Sequence, residues 1–261
     1  MGWVFITLVG IGLATGFTWG ADLMFFQKNK PEDALERAIE NDDAAGIATA
    51  IATGANVNSL GEHGVTPLIL AVGKGKRQAV AELLRHKANT DLRSQDGETA
   101  VTLAATAYKK HPHLLDMLLK AGANPNTLFS DRNPIMVRFL NDHNLDAVRY
   151  LHAAGANLDL RSRSNDPLVF VEAIKQDWDA VDLLLSLGAK YDYKDAPITW
   201  MEIFGNRFPT PPDSPLWKYK VKAWRFLKQN GQFVPRNIED LVAESYWVHL
   251  KEKGLPKPVL E

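Results

Sequence analysis

The segment LLKAGANPN, residues 118–126, combines a leucine-rich helix ending with a glycine and a turn, and it decides the fold because it recurs. Four related segments occur elsewhere in the chain: IATGANVN at 51–58, LLRHKANTD at 83–91, LHAAGANLD at 151–159 and LLSLGAKYD at 184–192. The positions before the shared Ala are 33, 35, 33 and 33 residues apart. A nearly constant period of this length indicates stacked structural repeats.

A second recurring phrase predicts where helices begin. It reads TPLI at 66–69, TAVT at 99–102, NPIM at 133–136, DPLV at 166–169 and APIT at 196–199. Side chains that can cap a helix by accepting a backbone N–H stand at Thr66, Thr99, Asn133 and Asp166. A proline at the first helical position loses no hydrogen bond, and this position is predicted for Pro67, Pro134, Pro167 and Pro197.

Each repeat is predicted to contain two helices. After the helix start come about two turns, a polar break such as GKGKR at 73–77, and a second apolar stripe. In the third copy this stripe consists of Leu114, Leu115, Leu118 and Leu119. The Gly of the GAN segment suits the left-handed residue that ends a helix, and the following Asn or Asp suits a turn. The repeat is therefore helix, turn, helix and hairpin, and the fold class is all-α.

The order T-P-L, G, V-x-x-L-L and G-A-N resembles the ankyrin repeat, with residues 66–89 in register and about 31–233 covered. The resemblance implies an ankyrin-repeat solenoid whose units bind another protein. Two features depart from the family pattern. The histidine after T-P-L is replaced, as at Ile69, and Lys87 stands where the other copies have the helix-ending Gly. A left-handed Lys87 costs on the order of 1 kcal/mol.

The sequence predicts three segments: residues 1–27 as a signal peptide or membrane anchor, 28–235 as the repeat solenoid, and 236–261 as a C-terminal capping helix and tail. The capping helix is predicted over 237–250, beginning at Asn237. Aromatic residues are dense near this end and are predicted to close the last repeat, with a binding patch as the alternative. They include Trp200, Phe204, Phe208, Trp217, Trp224 and Trp247.

The first 26 residues are mostly apolar, and Asp22 is their only charged side chain. A membrane-spanning helix needs about 20 apolar residues, so this stretch predicts an N-terminal apolar leader helix. Small residues at Thr18 and Gly20 leave signal cleavage open, and a buried soluble helix is the remaining alternative. The leader predicts a periplasmic protein or one anchored in the inner membrane. Lys28 and Lys30 leave the opposite orientation open, with the repeats in the cytoplasm.

Composition and motifs argue against several functions. A net charge of −1 does not support nucleic-acid binding, and the absence of Cys excludes disulfides and thiolate sites. The sequence has no G-x-S-x-G and no H-E-x-x-H motif. GKGKR at 73–77 lacks the spacing of a phosphate loop, and HPH at 111–113 lacks a third metal ligand nearby. We therefore expect a non-enzyme without cofactor or metal.

The predicted partner-binding residues lie at the hairpin tips that join successive repeats. Stacking places such tips side by side along a concave face, and arginine there gives bidentate contacts with carboxylates. The candidate residues are Arg93, Arg132, Arg161, Arg163, Glu62, His63 and Phe129. Solvated loops with no partner are the alternative interpretation.

The combination of an apolar leader with a few degenerate repeats is similar to the ankyrin-type immunity proteins that bacteria pair with secreted phospholipase toxins. The resemblance implies that the partner is a phospholipase effector and that the repeats inhibit it. Two other functions remain open at this point: a membrane-associated assembly scaffold, and a cytoplasm-facing enzyme regulator.

Overall fold

The computed structural model describes residues 31–192, 199–204, 210–232, 234–242 and 244–254, together with 256 and 260. The chain divides into two compact units, Met1–Asp131 and Arg132–Glu261. Helices dominate the described residues of both units, as the sequence predicts, and an isolated β-bridge joins Arg161 and Pro167.

The first unit contains three helix pairs. They are α1 (Pro31–Glu40) with α2 (Ala44–Ala52), α3 (Pro67–Gly73) with α4 (Arg77–Arg85), and α5 (Ala100–Thr106) with α6 (Pro112–Lys120). Helix α3 packs between α1 and α5, and α4 packs between α2 and α6. The first helices are almost wholly buried, because Leu68 to Val72 and Ala100 to Ala105 face neighbours on both sides. This stacking is the helix–turn–helix repeat that the period predicts.

The second unit begins with two further helix pairs and ends in a different arrangement. Its helices are α7 (Ile135–Asn141), α8 (Leu145–Ala153), α9 (Leu168–Ile174), α10 (Trp178–Ser186), α11 (Trp200–Phe204), α12 (Trp217–Gln229) and α13 (Glu244–Glu252), with a 3-10 turn at Ile238–Leu241. Helices α7 and α8 pack together, as do α9 and α10, and the long helix α12 packs against α10.

The helix ends adopt the predicted left-handed conformation. Gly122 has φ of 91° at the end of α6, and Gly155 has φ of 93° at the end of α8. Lys87 occupies the same position after α4 with φ of 64°, so a side chain stands where glycine is favoured. The expectation that Lys87 is a strained departure from the repeat is therefore confirmed in geometry.

The predicted helix starts are confirmed in the first unit only. The side chain of Thr66 accepts from the backbone N–H of Ile69 at 3.2 Å, and Thr99 forms a reciprocal capping box with Thr102. Pro67 occupies the first helical turn.

In the second unit, α7 and α9 each begin one residue later than predicted. Pro134 and Pro167 have ψ of 147° and 137° and precede α7 and α9, so neither is the first helical residue. Neither helix has a side-chain cap. The caps predicted for Asn133 and Asp166 are therefore wrong, because each proline stands where the first unit has its capping threonine. Pro197 lies outside the described residues.

The predicted single capping helix over 237–250 is also wrong. Asn237 starts a 3-10 turn with a capping box, Val242 is extended, and α13 begins at Glu244. The carbonyl of Leu241 accepts a hydrogen bond from the Lys220 ammonium at 3.0 Å.

The aromatic residues of the second unit are mostly core, as predicted. Trp200, Phe204, Trp217 and Trp224 are buried, and the ring of Trp178 stacks on Phe204 with centroids 5.0 Å apart. Trp247 is half-buried. Phe208 lies outside the described residues.

The predicted leader, residues 1–27, lies outside the described residues, so the N-terminal boundary stays a prediction. None of the helices between residues 31 and 254 that the structure describes has the length and apolarity needed to span a membrane.

Candidate functional site

The hairpin loops have a common backbone closed by two hydrogen bonds. In the loop at 94–98, Ser94 N–H donates to the Glu98 carbonyl at 2.9 Å, and Gly97 N–H donates to the Ser94 carbonyl at 2.9 Å. The same pair of bonds closes the loops at 61–65 and 162–166. Because the backbone is fixed by these bonds, the loops differ in the side chains that they present.

In the first unit, successive hairpins are tied to one another. The backbone N–H of Gln95 donates to the carbonyl of His63 at 2.8 Å. The guanidinium of Arg93 donates to the carbonyl of Gly97 in its own loop at 2.5 Å and to that of Leu128 in the next loop at 3.2 Å. Arg93 therefore cross-links two loops, and its predicted contact with a partner stays a prediction.

The other predicted residues of the first unit lie on the same series of loops. Glu62 and His63 are exposed, with side-chain exposure of 59% and 44%. Phe129 is half-buried. Sequence reasoning missed Leu60, which is 65% exposed and occupies the position that Arg93 has in the following loop. The sequence could have indicated Leu60, because it is an apolar residue at a hairpin position where other repeats have arginine.

The predicted arginines of the second unit lie on its hairpin loops. The Arg161 guanidinium donates to the Asn165 carbonyl at 2.8 Å. The backbone N–H of Arg163 donates to the side chain of Asn133 at 2.9 Å. Arg132 has φ of 69°, the position of Gly97 in the first unit, so it occupies a left-handed loop tip. Partner contacts by these three arginines stay predictions.

The turns between paired helices carry a second group of functional side chains, which the sequence did not single out. His143 lies between α7 and α8 with φ of 52°. Its Nδ1 lies 3.1 Å from a carboxylate oxygen of Asp177, and its Nε2 lies 2.9 Å from Asp179. The partners are 34 and 36 residues away, so no local spacing brings them together.

Charge and burial shift the pKa values in this group. Burial alone lowers the pKa of His143, but hydrogen bonds and charge from Asp177 and Asp179 raise it above its ordinary value. Burial raises the pKa of Asp177, and the charge of Asp179 adds to this against the opposing effect of His143. Burial also raises the pKa of Glu172 against the opposing effect of Lys175. The group therefore contains three carboxylates, on Asp177, Asp179 and Glu172, and two basic groups, on His143 and Lys175.

The two sequence motifs set aside as unlikely sites have structural contacts. In GKGKR, Lys74 pairs with Glu40 of the preceding repeat, and Gly75 has φ of 69° at the turn. In HPH, the rings of His111 and His113 lie 5.8 Å apart, centroid to centroid. Burial first, then the charges of Lys110 and His113, lower the pKa of His111. GKGKR spans the turn between α3 and α4, as predicted, whereas HPH forms the start of α6, with His111 at the cap position and Pro112 and His113 inside the helix.

Comparison with known proteins gives the family. A family model for ankyrin repeats, comprising three copies, matches residues 35–128. Residues 35–128 are ankyrin repeats. The match begins within α1 and runs through the three helix pairs of the first unit. A search of curated proteins finds no match to the chain. Ankyrin repeats are protein–protein interaction modules and are typically non-catalytic.

Proposed function

We propose that this ankyrin-repeat protein is exported or membrane-anchored through its N-terminus and that it binds and inhibits a secreted phospholipase toxin. The observation that carries the binding proposal is the row of loops in the first unit. The backbone bond between Gln95 and His63 and the Arg93 cross-link fix these loops against each other. A rigid edge loses little conformational entropy when a partner binds.

The side chains on this edge have the mixed chemistry of a recognition surface. Leu60 offers exposed apolar area, and Phe129 adds a half-buried ring. Glu62 and His63 add charged and polar groups. A few well-packed residues supply most of the affinity of a protein interface, whereas charges at its rim act on association rate and specificity.

Inhibition by such an edge needs no chemistry from the ankyrin-repeat protein. A partner seated across the loops loses access to its substrate, and inhibition rises with the molar ratio of the two proteins. The similarity to ankyrin-type immunity proteins supports a phospholipase as the partner, and the apolar leader supports a periplasmic or inner-membrane location. An inhibitor in the periplasm or at the inner membrane can bind the phospholipase before the enzyme reaches its phospholipid substrate.

The experiment combines the purified full-length chain with candidate secreted phospholipases, and a phospholipase gene beside that of this chain would be the first to test. Release of fatty acid from phospholipid vesicles is measured at increasing ratios of the two proteins. We expect hydrolysis to stop near an equimolar ratio. Undiminished hydrolysis at a large excess of the ankyrin-repeat protein contradicts the immunity role, and direct binding without inhibition favours the scaffold instead.

Location is tested separately by cell fractionation of the full-length chain. We expect it in the membrane fraction or, shortened, in the periplasm. Recovery of the intact chain from the soluble cytoplasm rules out both export and anchoring.

A further inference from the structure

The turn side of the second unit brings one imidazole close to two carboxylates. One ring nitrogen of His143 and one oxygen from each of Asp177 and Asp179 all lie within 4.8 Å of one another. The elements fix this arrangement from both sides. His143 is held in the left-handed turn before α8, and the aspartates lie at the start of α10, Asp177 at the cap position and Asp179 in the first turn.

A buried carboxylate beside this cluster adds an independent indication that positive charge is in short supply. Glu172 is 1% exposed, and its charge interacts with both His143 and Asp177. Its Oε1 accepts from Lys175 at 2.8 Å, whereas its Oε2 is buried and accepts no hydrogen bond. The ammonium of Lys175 also donates to Asn141 at 2.8 Å. These five groups are three carboxylates, one ammonium and one imidazole, and an unsatisfied buried carboxylate oxygen is costly.

We propose that His143, Asp177 and Asp179 form a binding site for a divalent transition-metal ion, with Zn²⁺ as the best match. Imidazole and carboxylate are zinc ligands with bonds of about 2.0–2.2 Å, so the three groups must shift from their present hydrogen-bonded arrangement to surround one ion. His143 is half-exposed, so its ring has room to turn. The ring offers one nitrogen to the ion, the other stays protonated and hydrogen-bonded, and water completes the coordination. Binding releases the proton carried by the coordinating nitrogen.

The site would join two successive repeats. His143 belongs to the pair α7 and α8, whereas both aspartates belong to α10 of the next pair. A bound ion therefore stabilises the folded second unit by mass action, since the ligands come together only when the repeats are stacked. This proposal is independent of the phospholipase role, because its ligands lie at inter-helix turns and the proposed partner-binding residues lie on hairpin loops.

The test is titration of the full-length chain with ZnCl₂ by calorimetry, and with CoCl₂ by visible absorption. We expect one equivalent of Zn²⁺ to bind, a tetrahedral Co²⁺ spectrum, and a higher Tm with Zn²⁺. His143→Asn and Asp179→Asn are each expected to weaken Zn²⁺ binding by at least about a hundredfold, because losing a ligand costs more than losing a residue that only orients one. His86→Asn is the matched control, because His86 contacts the single carboxylate of Glu82 and its loss should leave binding unchanged.

Two results overturn the proposal. One is the absence of Zn²⁺ heat and Co²⁺ absorption with the wild-type chain. The other is equal Zn²⁺ affinity in wild type and His143→Asn. Far-UV circular dichroism of each variant without metal shows whether it folds. Should His143→Asn fail to fold, Asp179→Asn decides: loss of Zn²⁺ affinity supports the site, and unchanged affinity contradicts it.

Discussion

Lys220 should make the stability of the second unit depend on alkaline pH. Its side chain is fully buried in α12, and its ammonium donates to the Leu241 carbonyl at 3.0 Å. The Nζ lies 5.6 Å from the ring centroid of Trp178 and 5.8 Å from that of Trp217. Burial lowers the pKa of Lys220 from its ordinary 10.5 to about 8. The rings and the carbonyl compensate only part of the lost hydration.

The direction of the pH effect follows from the two pKa values. Between pH 8 and 10.5 the unfolded chain holds the Lys220 proton and the folded chain has lost it. Stability therefore rises with pH in this window, because the unfolded state binds more protons. Each pKa unit corresponds to about 1.4 kcal/mol, so the full effect is about 3 kcal/mol, of which about 2.5 kcal/mol falls between pH 7 and pH 10.

The assay is urea unfolding of the full-length chain at pH 7 and pH 10, followed by tryptophan fluorescence. Lys220→Met removes the titrating group and keeps most of the volume. We expect the unfolding free energy of the wild type to gain about 2.5 kcal/mol on the variant as pH rises from 7 to 10. Lys222→Met is the control on the same helix, since Lys222 is 64% exposed and pairs with Asp182. The chain has no Cys, so thiol chemistry does not intervene at pH 10.

One outcome refutes this reasoning. If wild type and Lys220→Met show the same change in unfolding free energy between pH 7 and pH 10, the Lys220 ammonium is hydrated and its pKa is ordinary. A larger pH effect in the Lys222→Met control than in wild type would also contradict the assignment to Lys220.

Three further changes test the repeat geometry by urea unfolding. Lys87→Gly should raise the unfolding free energy by about 0.5–1 kcal/mol, because it removes a side chain from a left-handed position. The control Lys120→Gly in α6 should lower the unfolding free energy by about 1 kcal/mol. Equal effects of the two substitutions would contradict the helix-end assignment of Lys87. Thr99→Ala should lower the unfolding free energy by about 1 kcal/mol, because the helix loses its capping side chain. Asp166→Ala should lower the unfolding free energy by less than half as much, because Asp166 does not cap a helix. Equal losses in the two variants would show that both residues cap helices. Arg161→Glu should cost about 1 kcal/mol by removing the bond to its own hairpin, and an unchanged unfolding midpoint would show that the bond contributes nothing.

Sequence alone predicted the repeat unit because its signals are local. The left-handed residue after a helix and the capping threonine before one are each decided within about four residues of chain, as at Gly122 and Thr66. The register of the second unit was harder to predict. The dipeptides at 133–134 and 166–167 look like the Thr66–Pro67 start, but they lie one residue earlier relative to their helices.

The side-chain clusters could not be predicted because they depend on packing between distant segments. His143 meets carboxylates 34 and 36 residues further along the chain. Lys220 lies in the segment WKYKVK at 217–222, where its neighbours Lys218 and Lys222 are exposed. Only the packing of α12 on α10 and on the turn at Leu241 shows which lysine is buried.

The predicted role of the arginines also depended on folded geometry. Arg93 and Arg161 recur at the same hairpin position, which sequence reasoning interpreted as a partner-binding edge. In the structure both guanidinium groups donate to carbonyls of their own loops. A residue that recurs at one position of a repeat therefore indicates that the position has the same surroundings in each copy. Such a recurrence is explained equally well by stabilisation of the loop and by binding of a partner.

The central claim, that the loops of the first unit form the partner-binding edge, is tested most directly by calorimetry. The phospholipase is titrated with the full-length wild type and with the triple variant Glu62→Ala, His63→Ala, Phe129→Ala. The control is Lys120→Ala, which alters an exposed helix end. We expect the triple variant to bind at least about tenfold more weakly, equivalent to about 1.4 kcal/mol, and the control to bind as wild type does. Equal affinity of wild type and a folded triple variant would contradict the claim.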